Sequence, residues 1–186
     1  QSLSDKYFVG KNSIVNDIKI LEEWLGRYNL SLTRTARGTG ISGTEVHIRK
    51  ALAGYAVREN KRKDPQELFD AEDMNFIEDL LRDVPELDTD IGDIYYLNLL
   101  THILICIRRI RQHNHISGRR EDFLIEEGTA DLYQKARGIT ERIAEHYHIS
   151  IDDEETYYIY QYLMSSGFEN RDVSGPMIDD KSAAFA

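Results

Sequence analysis

At 186 residues the chain is long enough for one well-filled core and part of a second, so its length allows one or two domains. The net charge of -10 hides a division: residues 1–63 carry 12 Lys+Arg against 6 Asp+Glu, whereas residues 64–186 carry 11 against 27. The single cysteine, Cys106, excludes an internal disulfide, and no apolar run approaches the roughly 20 residues that cross a bilayer.

A basic segment followed by an acidic one suits a nucleic-acid-binding part joined to a regulatory part, although chance surface charge gives the same imbalance. Cys106 lies in the apolar run 103–107, where it is expected to pack as a small hydrophobe. With no signal peptide at the start, the expectation is a cytoplasmic protein without membrane insertion.

The first element predicted is a short helical turn over Leu3–Val9. Gly10-Lys11-Asn12-Ser13 restarts the chain, and Ile14, Val15, Ile18, Leu21 and Leu25 then recur at helical spacing. Helix, tight turn, helix is the arrangement in which the second helix enters a DNA major groove. Lys11, Asn12, Ser13, Asn16 and Lys19 supply the short polar or basic groups that reach phosphates and base edges, while Val9, Ile14 and Ile18 face inward.

Leu30 to Arg34 alternates apolar and polar residues, Arg37-Gly38-Thr39-Gly40 predicts a turn, and Ile41-Ser42 returns. This is a small basic hairpin, with Arg34 and Arg37 as further DNA-facing candidates. Many helix pairs with a polar turn bind nothing, so the helix pair alone leaves DNA binding open.

A helix over Glu45–Asn60 follows, and Lys61-Arg62-Lys63-Asp64-Pro65 stops it. Further helices are predicted over Asp70–Asp83, Asp90–Gln112, Gly128–Tyr147 and Glu154–Ser166, with no strand between them. The expected fold is mostly α: a partial winged helix-turn-helix with a small β-hairpin, then an all-α five-helix bundle. The predicted division is 1–63, 64–170 and a linker or tail over 171–186 that contains Gly175-Pro176.

The helix predicted over Asp90–Gln112 carries His102 and Arg109, seven residues apart and near one face. A histidine ring nitrogen can accept a phosphoryl group, and a guanidinium can hold the added charge. By spacing alone a histidine in an apolar helix is more often a packing residue. His113-Asn114-His115 and His146-Tyr147-His148, with Asp152 to Glu155 nearby, lack a spacing that places a third or fourth ligand, so no metal site is expected. The acidic run 152–155 suits the start of a helix, where negative charge complements the macrodipole. With no phosphate-cradling glycine loop, nucleophile elbow or demanding carboxylate pair, neither an enzyme nor a cofactor is expected.

Two stretches carry a family resemblance. Phe8-Val9-Gly10-Lys11-Asn12-Ser13-Ile14-Val15-Asn16-Asp17-Ile18, with the hairpin and Gly43-Thr44-Glu45-x-x-x-Arg49, is similar to the helix-turn-helix of BglG-type operon activators. Leu100-Thr101-His102-Ile103-x5-Arg109-Ile110, with Glu155-x-x-Tyr158-Ile159, resembles the phosphotransferase-system regulation domain. The family's winged helix begins with at least one more helix. This chain starts at the second element of the motif, which implies a truncated domain with impaired DNA binding.

The resemblance implies an all-helical bundle that forms homodimers and is phosphorylated on histidine by HPr or a sugar permease component. His102 falls on the first of the family's two histidines and Arg109 beside it; the second position holds Tyr162, which cannot join a phosphohistidine relay. The function implied is an operon activator for carbohydrate uptake or metabolism that binds operator DNA. A dimerisation scaffold whose His102 only packs is the alternative. RNA-binding antitermination is the other, but in that group a β-rich module stands where this chain has its helix-turn-helix.

Overall fold

The computed structural model describes residues 10–36, 38–60, 69–84, 93–117 and 124–165. Two compact units emerge, residues 1–51 and 52–186, with the boundary inside a helix. The turn expected over Leu3–Val9, Arg37, the stop at 61–65 and the tail at 171–186 lie outside the described residues.

In the first unit, helix α1 (Lys11–Gly26) starts from an extended Gly10. It ends where Asn29 takes a left-handed backbone (φ 54°), letting the Leu30 N–H reach back to the Leu25 carbonyl at 3.0 Å. Asparagine tolerates that conformation, and the reverse bond satisfies a carbonyl the helix would otherwise leave open. Strands β1 (Ser31–Thr35) and β2 (Gly38–Ser42) pair antiparallel, with Leu32 opposite Ile41 and Thr35 opposite Gly38. The turn is thus shorter than the expected 37–40. Gly38 and Gly40 belong to the return strand, whose glycines hid its alternation.

Leu25, Leu30 and Ala51 form the buried centre of this unit, packed by Trp24, Tyr28, Leu32 and Ile48. Burying each leucine contributes about 1.5–3 kcal/mol. Gly43 is required here, because a Cβ on it would come within 2.3 Å of Leu30 Cδ2. Of the residues at helical spacing on α1, Ile14 and Ile18 are half-buried as expected, whereas Val15 and Leu21 are exposed. Val15 lies about 100° around the helix from Ile14, off the stripe that leads to Leu25.

Helix α2 (Glu45–Asn60) opens with a buried charge: the Arg49 guanidinium, 0% exposed, lies 3.0 Å from Glu45 Oε1 one turn earlier. A guanidinium withdrawn from water needs such a partner, which gives the Glu45-x-x-x-Arg49 spacing a physical reason.

The second unit contains the remainder of α2 and helices α3 (Ala71–Arg82), α4 (Asp93–Arg111), α5 (Ala130–Tyr147) and α6 (Asp153–Ser165). The structure is therefore mostly helical with one small hairpin, as the sequence implied. Asp70 caps α3 by accepting the N–H groups of Glu72 (2.9 Å) and Asp73 (3.4 Å). The bundle centres on α6, which packs against both α4 and α5, while α3 packs on α4. Glu155, Ile159 and Leu163 recur every fourth residue and face one interior side, with Thr156, Tyr158 and Tyr160 buried beside them. Among the described residues no helix is long and apolar enough to cross a membrane.

Candidate functional site

The centre of α4 is an almost unbroken buried run from Leu99 to Ile107. His102 sits within it at 5% exposure, so its polar nitrogens need partners from elsewhere in the fold. Helix α6 supplies one: Tyr158 Oη lies 2.8 Å from His102 Nδ1. Tyr162, one turn further along α6 and half-buried, stacks on the imidazole with centroids 3.6 Å apart and planes 20° from parallel. Tyr158 itself meets Tyr162 edge-on at 4.9 Å. Residues separated by more than fifty positions thus enclose the histidine between a hydroxyl at Nδ1 and a ring on its face.

One turn along α4, Cys106 donates its thiol proton to Glu155 Oε2 at 3.4 Å, and the Ile116 N–H donates to Glu155 Oε1 at 2.9 Å. Glu155 is completely buried. It thereby ties α6 to α4 and to the segment leaving α4. The acidic run 152–155 stands at the start of α6, as expected, but its members do not share one environment. Asp152 does cap the helix, accepting the Glu155 N–H at 3.1 Å, but the fourth acid points into the core. The spacing 155, 159, 163 was the available signal, since it puts the carboxylate on the stripe of Ile159 and Leu163. Cys106 is buried as expected, and it is also a donor.

Arg109 lies two turns beyond His102, about 10 Å along the helix axis, and is half-buried. At the α3–α4–α5 corner, the Arg111 guanidinium lies 4.3 Å over the Tyr147 ring and 3.0 Å from Asp73 Oδ2. Burial, reinforced by Asp73, pushes the Tyr147 hydroxyl well above the usual tyrosine range. One histidine of each His-x-His pair ends a helix. His113 (φ 59°) and His148 (φ 52°) take left-handed conformations that terminate α4 and α5. The N–H groups of Asn114 and Ile149 then return to Arg109 (3.0 Å) and Ala144 (3.1 Å). His146 lies exposed in the last turn of α5 and stacks on Phe76 at 3.7 Å.

Residues 85–166 match the family model described as PRD domain, so the match spans α4, α5 and α6 and with them His102, Tyr158 and Tyr162. Those residues are thus similar to a PRD domain. Two curated relatives from Bacillus subtilis (strain 168) extend the similarity beyond that domain. One is "Probable licABCH operon regulator", 24% identical over 173 residues and 88% of this chain. The other is "Transcriptional regulator ManR", 24% identical over 170 residues and also 88% of this chain. Both names are those of regulators, and the resemblance drawn from the sequence holds. The chain spans about a quarter, 26%, of the length of each. Within the PRD, the two motif halves quoted from the sequence are the two halves of one enclosure around His102.

In the first unit Asn12, Ser13, Asn16 and Lys19 are exposed on α1, and residues 12, 16 and 19 share a face. Arg34 is exposed on β1 opposite Thr39. Lys11 opens α1, and Arg37 lies outside the described residues.

Proposed function

We propose that this chain is part of a transcription regulator controlling an operon for carbohydrate uptake or metabolism, with its PRD receiving the phosphotransferase-system signal at His102. In this reading residues 1–63 present Lys11, Asn12, Ser13, Asn16, Lys19, Arg34 and Arg37 to operator DNA, and residues 64–170 are the regulatory bundle of a homodimer. HPr or a sugar permease component is the phosphodonor, and Arg109 is the cation available to the modified ring.

The observation that carries the reading is the enclosure of His102 by Tyr158 and Tyr162 across the α4–α6 contact. A phosphoryl group brings about 1.5–2 negative charges. Such a charge is strongly disfavoured at a buried site without paired cations. Modification therefore favours an arrangement in which α4 and α6 have parted enough to admit water or Arg109. That is a switch: a local charge acting on a packing equilibrium.

A second reading, a scaffold PRD that is no longer phosphorylated, is favoured by the 5% exposure of His102 and by Tyr162 at the second position. Incubation with phosphoenolpyruvate, Enzyme I and HPr, with and without a permease component, separates the two. Acid-labile label on wild type and none on His102→Ala is expected of the sensor. No label from any donor leaves the scaffold.

A further inference from the structure

Resting on the proposal that His102 is the acceptor, we infer that it takes the phosphoryl group on Nε2, and that Tyr158 is the positioning residue that sets this choice.

Attack on phosphorus is made by an imidazole nitrogen. Its lone pair lies in the ring plane, so an attacking nitrogen needs clear space in that plane, whereas contacts on the ring face leave the direction of attack untouched. The Tyr158 hydroxyl stands 2.8 Å from Nδ1, where a phosphorus atom would have to come. Tyr158 is 2% exposed and Tyr162 packs edge-on against it, so moving that hydroxyl aside means repacking α6. The Tyr162 ring stacks on the imidazole face at 20° from parallel, and this contact hinders in-plane attack at neither nitrogen.

The same hydroxyl can hold the reactive tautomer. A neutral imidazole has one N–H and one lone pair, and the partner of one nitrogen decides the state of the other. With Nδ1–H donating to Tyr158 Oη, Nε2 carries the lone pair. That pair forms the new P–N bond to the phosphorus of the donor's phosphohistidine. The donor's own P–N bond breaks, its electron pair returns to the donor's ring nitrogen, and the His102 ring becomes cationic with Nδ1–H still in place. When that proton leaves to solvent, the bond that Nδ1–H made to Tyr158 Oη is lost, in keeping with the parting of α4 and α6. Phenylalanine at 158 would keep the packing and lose this bond.

The test is the identity of the phosphohistidine isomer on the full chain, read by antibodies specific for the Nδ1 and Nε2 isomers and by 31P NMR, with His102→Ala to localise the signal. Two donors are used: HPr charged with phosphoenolpyruvate and Enzyme I, and potassium phosphoramidate, a small donor that needs no protein contact. Free histidine treated alike reports the reagent's own preference. The expected result is the Nε2 isomer alone at His102 in wild type and in Tyr162→Phe, with the Nδ1 isomer appearing in Tyr158→Phe. Nδ1 phosphate at wild-type His102 overturns this inference while leaving His102 as the acceptor. Unchanged isomer selectivity in a folded Tyr158→Phe removes the role given to Tyr158. If that variant fails to fold, the wild-type isomer decides the atom and tautomer-sensitive 15N spectra of wild-type His102 decide the role: an Nδ1–H tautomer sustains it and an Nε2–H tautomer overturns it. No phosphate at His102 from either donor overturns both the acceptor reading and the inference that rests on it.

Discussion

The two units solve the burial of polar groups differently. In residues 1–51 the buried ion pair is local: Glu45 and Arg49 belong to consecutive turns of α2, and the pairing forms wherever that helix forms. In the second unit the buried polar groups pair across the fold. His102 meets Tyr158, Cys106 and Ile116 meet Glu155, and Thr140 meets Thr156 at 3.1 Å. A local pair reports only that a helix exists, whereas a cross-helix pair reports the register of two helices. A signal that must change packing has its leverage in the second kind.

The largest expected effect strikes the local pair. Arg49→Ala leaves the Glu45 carboxylate without its buried partner and should destabilise the first unit by about 3–5 kcal/mol, the loss typical of breaking one side of a buried ion pair. Urea unfolding followed by the single tryptophan, Trp24, which packs on that core, reads it. A loss below about 1 kcal/mol would mean that the pair is solvated and the contrast between the units is weaker than described.

Next comes the cross-helix carboxylate. Glu155→Ala strands the Ile116 N–H and should destabilise the bundle by roughly 1–3 kcal/mol. Glu155→Gln keeps one oxygen acceptor and should lose less. Thermal melts by far-UV circular dichroism order the three proteins, and equal losses for Ala and Gln would show that charge, rather than hydrogen bonding, holds the segment after α4. In the first unit, Gly43→Ala forces its Cβ onto Leu30 and should cost about 1–3 kcal/mol as an overpacked contact. The Trp24 transition should move while the bundle's melt stays in place.

The smallest effect is one of pH. Tyr147 has its hydroxyl raised by burial and by Asp73. Its neutral form is thus favoured in the folded state, and the stability it contributes is complete below the unfolded value of about 10. Above that pH the unfolded chain loses the proton first, and the contribution falls away as pH rises toward the folded value. Wild type should therefore lose stability between pH 10 and 11 faster than Tyr147→Phe, by denaturant titration at each pH. Parallel curves would remove Tyr147 from the α3–α4–α5 corner's account.

Much of this was legible in the sequence because it is periodic. The helices at 45–60, 71–82, 93–111 and 130–147 match their predicted spans to within a few residues, since each carries apolar residues at three- and four-residue steps. The hairpin was legible from β1's alternation, and its turn was misplaced because Gly38 and Gly40 resemble loop residues while pairing as strand. His102, Tyr158 and Tyr162 were found through family spacing. That Tyr158 meets Nδ1 while Tyr162 covers the ring face could not be read, because it depends on how two helices distant in sequence are rotated against each other. Glu155 was quoted with Tyr158 as part of the family motif, but its burial was not foreseen, because in a run of four acids only the helical phase says core.

On the proposed reading, His102 is where charge meets the register of α4 and α6. Amide hydrogen exchange of the chain before and after phosphotransfer tests it most directly. Loss of protection confined to residues 99–107 and 155–163 on phosphorylation, with Leu25 and Leu30 unchanged, is the predicted result. Identical exchange in those two segments with His102 fully phosphorylated would contradict the account.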